Sequence, residues 1–260
     1  MTIYLNLQCY KRLLSGLTAH GKSDLILTYL DTLQQPFENF NLSEGSRRIR
    51  DLPNAGGNSM FSEVLSYELL YRLLPDLNLF ATEMEVRYFP RGGPMTDYLV
   101  SLNASHQNQG LHPTIGVSVT RAFAFRRQFT KSDALRILRK KLLGVIKSTR
   151  TVIGCELKKQ LLHIWAPTGS VARLVRRIFW GLEDEVRSNT FVIVTVVNSD
   201  WVFTSGSTGH PTTLTKKRAH SRDHDTLERR DDTKNRPWDR RYAFKNSFRK
   251  WVFPSNFQLF

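Results

Sequence analysis

Cysteine is nearly absent from this chain. There are two in 260 residues, Cys9 and Cys155. They are too far apart for a metal-ligand pair and too few for a disulfide scaffold, which points to a reducing compartment. Long apolar runs are missing as well: no stretch reaches the roughly 20 residues that span a bilayer, and the N-terminus lacks the basic start and apolar run of a signal peptide. The expectation is an intracellular protein, nuclear or cytoplasmic, with no membrane partner. Recognised enzyme motifs are also lacking, with no GxSxG elbow, no GxxxxGK phosphate loop, no HExxH pair and no CxxC. Acidic charge is scarce. Against 38 Lys and Arg stand 23 Asp and Glu, a formal net charge of +15, which favours a polyanionic partner such as nucleic acid.

What is present divides the chain into three parts. Residues 1–53 carry Leu13, Leu14 and Leu17, then Leu25, Leu27, Leu30 and Leu33, at helical spacings, so an N-terminal extension of two amphipathic helices is expected. Ser43 to Gly57, with its Arg47-Arg48-Ile49-Arg50 run, reads as a linker closed by a turn. From 58 to 203 the pattern is that of an α/β domain. A helix capped at Asn58 or Ser59 carries Met60, Val64, Leu65, Leu69, Leu73 and Leu74, with Glu63 at the edge of the stripe. Three strands follow, at 82–89, 97–102 and 115–121. The first holds Glu85, the second opens on Asp97, and the third puts Ser118 and Thr120 on the face opposite Ile115, Val117 and Val119. A helix capped by Thr130 or Ser132, a strand at 160–165, a helix from Ser170 and a β-branched strand at 190–197 complete the order α-β-β-β-α-β-α-β. That alternation predicts a mixed central sheet sandwiched by helices. His163, in an apolar strand, reads as a core or edge histidine.

Residues 206–260 change character, with high charge and no periodic apolar run before the aromatics near the end. This predicts a basic, partly disordered tail. There Trp238, Tyr242, Phe244, Phe248, Trp251, Phe253 and Phe257 interleave with cations, a composition suited to a nucleic acid or a docked protein partner. Thr204–Pro211 reads as a flexible linker.

A helix bearing a glutamate, a meander whose second strand opens on Asp97, and a crossover helix to a further strand together resemble the PD-(D/E)XK nuclease superfamily over residues 58–200. The segments Gly56–Ser59, Ser62-Glu63, Glu83–Val86, Asp97-Tyr98 and Val117–Ala122 also look like those of a group of uncharacterised eukaryotic proteins, a likeness that implies no activity. The nuclease resemblance implies that Asp97 is the metal-binding aspartate and Glu63 the supporting acid. Carboxylate oxygens would hold Mg²⁺ or Mn²⁺ and activate a water against phosphate. The third strand departs from the pattern: Ser118-Val119-Thr120 stands where (D/E)-x-Lys belongs. Glu85 is the candidate replacement for the carboxylate, making Glu63, Glu85 and Asp97 the expected metal set. Lys140 or Lys141 is the candidate for the amine. Glu63, Asp97, Ser118, Thr120 and Lys141 form the expected catalytic patch, flanked by Arg121, Arg126, Arg127, Lys131, Arg136, Arg139 and Lys140 as the phosphate-binding strip. The implied function is nucleic-acid binding with a divergent or inactive phosphodiesterase site. The alternative is an adaptor that holds a protein partner through the scaffold and the aromatic tail.

Overall fold

The β-branched and leucine-rich segments are too apolar to face water, and they assemble into one sheet covered on both sides. The computed structural model describes residues 1–19, 21–53, 59–74, 76–102 and 114–204; the tail from 206 and the turn at 54–58 lie outside them. In chain order the elements are β1 (Thr2–Tyr4), α1 (Leu7–Thr18), β2 (Asp24–Asp31), α2 (Glu44–Asp51), α3 (Met60–Leu73), β3 (Leu77–Thr82), β4 (Arg87–Tyr88), β5 (Tyr98–Leu102), β6 (Thr114–Arg121), α4 (Lys131–Thr151), β7 (Val152–Ile153), β8 (Leu157–Ala166), α5 (Gly169–Trp180), α6 (Asp184–Arg187) and β9 (Thr190–Val197). Among the described residues the main sheet has seven strands in the order β1-β2-β9-β8-β6-β5-β3. Strands β2, β9, β8 and β6 run parallel, while at one edge β5 pairs antiparallel with β6 and β3 antiparallel with β5. The mixed α/β architecture expected from the sequence is the one observed.

Three local expectations need correction. The N-terminal segment is not a purely helical extension: Leu25, Leu27 and Leu30 lie in β2, which pairs in parallel with β9 from Asp24↔Phe191 to Leu30↔Val197. Its leucines recur because the strand is buried on both faces, a pattern that periodicity alone cannot tell from a helix. The segment from Ser43 is no linker either, since the Ser43 side chain accepts from the Ser46 N–H and starts α2. The third correction concerns the strand at 82–89. Strand β3 lies earlier, at Leu77–Thr82, and a single 3-10 turn at Glu83–Glu85 separates it from β4, which pairs with β7 in a separate two-stranded sheet. Thr82 and Glu85 form a capping box, each side chain bonded to the other's backbone N–H, and that reciprocal bonding ends the strand.

The core is layered. On one face of the sheet lie Leu13 and Leu17 of α1, Ile49 of α2, and Val64, Leu65 and Leu69 of α3, packed on Ile26, Ile193, Leu161 and Val117. On the other, Leu138 and Leu142 of α4 and Val175 and Phe179 of α5 cover Leu162, Ile164, Val192 and Val194. Each such side chain contributes about 1.5–3 kcal/mol by leaving water. Helix α3 differs from the others in being buried nearly all round, including its polar residues Ser62, Glu63, Ser66 and Glu68.

Candidate functional site

Helix α3 is held against the sheet by polar contacts as well as apolar ones. The Trp165 indole donates to the Ser62 carbonyl at 3.0 Å. The Ser66 hydroxyl lies 2.8 Å from the Tyr98 hydroxyl and 2.7 Å from His163 Nδ1. On the far side of the ring, His163 Nε2 lies 2.8 Å from the Thr195 hydroxyl, which lies 2.7 Å from that of Thr28. This chain of five buried side chains ties α3 to β5, β8, β9 and β2. Burial holds the His163 pKa down at about 3, so the ring is neutral and has the core role expected for it.

One residue before Tyr98 and one helical turn before Ser66, the chemistry changes. Asp97 sits at the mouth of β5. Its N–H donates to the Val117 carbonyl at 2.9 Å, and its Oδ2 accepts the Val119 N–H at 2.5 Å. Glu63, only 4% exposed, reaches the same end of the sheet from α3. Its pKa is raised by loss of hydration first and by the charge of Asp97 second, against a hydrogen bond to Ser59 and the pull of Lys141. Asp97 is raised by loss of hydration too, against the charge of Lys141 and the Val119 N–H, with Glu83 adding to the rise. Arg121, half-buried, has its pKa lowered by loss of hydration and is held charged by Glu63. Glu63, Asp97, Glu83, Lys141 and Arg121 therefore form one electrostatic group where α3, β5, β6 and α4 meet.

Two candidate positions fall beside this group. Extending the register Tyr98↔Val117 by one residue sets Asp97 opposite Ser118, and Ser118 and Thr120 lie on the same side of β6. Ser118 is buried and Thr120 half-buried. Of the two candidate lysines, Lys141 is the one whose charge acts on both acids, while Lys140 is exposed.

The expected metal set is not assembled. Glu85 is engaged elsewhere: its carboxylate takes both 2.7 Å bonds from Arg48 and caps the turn through the Thr82 N–H at 2.8 Å. Among the described residues no three His, Cys, Asp or Glu side chains are grouped so as to hold a metal ion. The position that joins the acid group instead is Glu83, which sequence reading assigned no role; the Thr82-x-x-Glu85 capping box was the signal for it. A cage built of protein alone is thus excluded among these residues. A buried and a half-buried carboxylate with raised pKa values still fit a hard cation of the Mg²⁺ type, which is commonly held by one or two carboxylates with phosphate and water completing its shell.

The basic strip is partly spent on structure. Arg127 is paired with Asp133 at 2.5 Å and Arg136 with the same carboxylate at 3.4 Å, while Arg139 is paired with Glu183 at 2.6 Å. Asp133 in turn closes the capping box of α4 with Thr130. Arg126, Lys131 and Lys140 are exposed.

No helix among the described residues is long and apolar enough to cross a membrane. No family model and no solved structure matches the chain. It is similar to the AAC-rich mRNA clone AAC4 protein of Dictyostelium discoideum, at 38% identity over 189 residues that cover 69% of this chain and 26% of that protein. The chain spans about a quarter of the length of the curated relative it matches.

Proposed function

We propose that the chain is a nucleic-acid-binding protein on a PD-(D/E)XK-like scaffold, with Glu63, Asp97 and Lys141 as a divergent phosphodiester site. The observation that carries this reading is that Glu63 and Asp97, where strand β5 opens, are both raised in pKa by loss of hydration and both act electrostatically with Lys141. Like charges held out of water cost stability, and carboxylates perturbed in this way cluster at functional sites. Glu63 and Asp97 would hold Mg²⁺ or Mn²⁺. When bound, the ion supplies polarisation of phosphate and an activated water. Lys141 and Arg121 place positive charge beside the acids and draw a phosphate to them, and Lys140 and Lys131 extend that attraction along α4.

The reading without catalysis rests on strand β6, where Ser118-Val119-Thr120 supplies neither acid nor amine. An adaptor role has its own feature in the sheet edge β3, where Phe80 is exposed beside a small pocket that Ile153 also lines. One set of measurements separates these. The affinity of the full chain for labelled DNA and RNA is expected to fall steeply between about 50 and 200 mM salt, by the release of counterions; weak binding with no salt dependence would support the adaptor. Cleavage with Mg²⁺ or Mn²⁺ that disappears in Asp97→Asn establishes the nuclease. Equal background in both proteins, with salt-dependent binding retained, leaves a binding scaffold.

A further inference from the structure

The loop leaving β6 brings aromatic and cationic side chains to the same end of the sheet as Glu63 and Asp97. It runs from Ala122 to the Thr130 cap of α4. The Ala122 N–H donates to the Trp165 carbonyl at 2.7 Å, and Trp165 is the residue whose indole holds Ser62, next to Glu63. Arg121, the last residue before the loop, carries a charge that acts on Glu63.

Two phenylalanines in this loop have different surroundings. Phe123 packs on Phe203 with ring centroids 5.4 Å apart, and Phe203 belongs to the core beneath α3, so Phe123 anchors the loop. Phe125 is 68% exposed. The Arg126 guanidinium lies 4.9 Å from its ring centroid, with Arg126 in the left-handed region at φ 55°, a conformation unusual for a side-chain-bearing residue. The next residues are Arg127, Gln128 and, further on, Lys131. An exposed ring with a guanidinium on one face is a poor anchor for an apolar protein surface and a good one for a base flanked by phosphates.

We infer that Phe125, backed by Arg126, is a stacking platform for unpaired bases, and that the ligand at this end of the sheet is single-stranded nucleic acid. The inference rests on the phosphodiester reading above and names its substrate class. In a duplex each base is covered by its neighbours, so a ring standing out from a loop meets no free π-face, whereas every base of a single strand offers one. The exposed cations Arg126 and Lys131 then take the phosphates on either side.

The test is fluorescence anisotropy of the full chain with labelled oligothymidylate, oligouridylate and a mixed-sequence duplex, without divalent metal. The proteins compared are wild type, Phe125→Ala, Phe125→Leu and Phe125→Trp. Single strands are expected to bind more tightly than the duplex. Affinity should fall about ten-fold in both Phe125→Ala and Phe125→Leu and be retained in Phe125→Trp. Because the ring is exposed, thermal stability should not change, which separates lost stacking from lost folding. The two homopolymers report whether the strand is DNA or RNA. Equal affinity for duplex and single strand, or a Phe125→Leu protein that binds like wild type, would overturn the platform and leave general nucleic-acid binding in place. Absence of salt-dependent binding to any of the three probes would overturn both.

Discussion

Helix α3 buries two glutamates five residues apart, Glu63 and Glu68, and their surroundings could hardly differ more. Glu68 is fully answered: it accepts from the Ser43 N–H at 2.8 Å, the Ser46 hydroxyl at 2.8 Å and Arg72 at 2.8 Å. That carboxylate joins α2 to α3, and its charge is neutralised by a cation on its own helix. Glu63 faces Asp97 and Glu83 with one serine bond and the more distant help of Lys141. Equal burial on one helix thus carries two meanings. A carboxylate with its donors in place fastens elements together, and one short of donors is pushed towards its protonated form.

The largest effect expected from this contrast is at the satisfied residue. Glu68→Gln removes the charge opposite Arg72 and mismatches the Ser43 and Ser46 donors in a closed site, and it should cost about 2–4 kcal/mol in denaturant unfolding. A loss under about 1 kcal/mol would mean that the α2–α3 joint is held by apolar packing around Ile49 rather than by the carboxylate.

The same substitution at Glu63 should act with the opposite sign. The folded pKa of Glu63 is raised from 4.5 to about 7, so the favourable contribution of its protonated form is complete below the unfolded value and lost as pH rises through about 7. Glu63→Gln keeps the Ser59 bond and removes the charge. It should therefore match wild type near pH 4 and exceed it by about 1–3 kcal/mol at pH 8. The pKa of His163 is lowered from 6.5 to about 3, so its contribution is present above the unfolded value and is lost as pH falls through that range. This trend is common to both proteins and cancels in the difference. Thermal melts of the pair at pH 4, 6 and 8 decide the matter, and a variant less stable than wild type at pH 8 would place Glu63 with Glu68 among the structural acids.

One side of this contrast was legible in the sequence, and what was not has physical causes. Asp97 and Glu63 were readable because each stands at a boundary, one at the head of an alternating strand and one at the rim of an apolar helical stripe. The strands β6, β8 and β9 were readable because β-branched runs between turn residues admit few other structures. Strand β2 was misread because Leu25, Ile26 and Leu27 are apolar in succession and burial on both faces erases the period of two. Glu68 was invisible as a joint, since its partners lie 22 and 25 positions away at Ser46 and Ser43, across a segment that read as a linker. The turn that separates Glu83 from Glu85 was a readable feature missed. Thr82-Glu83-Met84-Glu85 alternates like a strand, but it also spells a capping box, and local side-chain bonding outweighed β propensity at a sheet edge where there was little packing to lose.

The smallest effect expected is at that third acid, and it sharpens the division between site and scaffold. Glu85 is exposed, bonded twice to Arg48 and once to the Thr82 N–H, and its pKa is lowered by those partners, the Thr82 backbone first. An exposed ion pair contributes on the order of 0–1 kcal/mol, so Glu85→Gln should lower stability by less than about 1 kcal/mol, with the loss shrinking in high salt. The sign with pH also separates it from Glu63. A lowered folded pKa gives a contribution that is present above the unfolded value near 4.5 and lost as pH falls through the folded one, so the difference from wild type should be flat from pH 6 to 8, whereas that of Glu63→Gln changes most between about 4.5 and 7 and levels off above. Nucleic-acid affinity should be unchanged, and Mg²⁺ should raise the melting temperature of Glu85→Gln as much as that of wild type while leaving Glu63→Gln unmoved. Loss of the Mg²⁺ response in Glu85→Gln would return this residue to the metal set and require the turn at Glu83–Glu85 to rearrange when the cation binds.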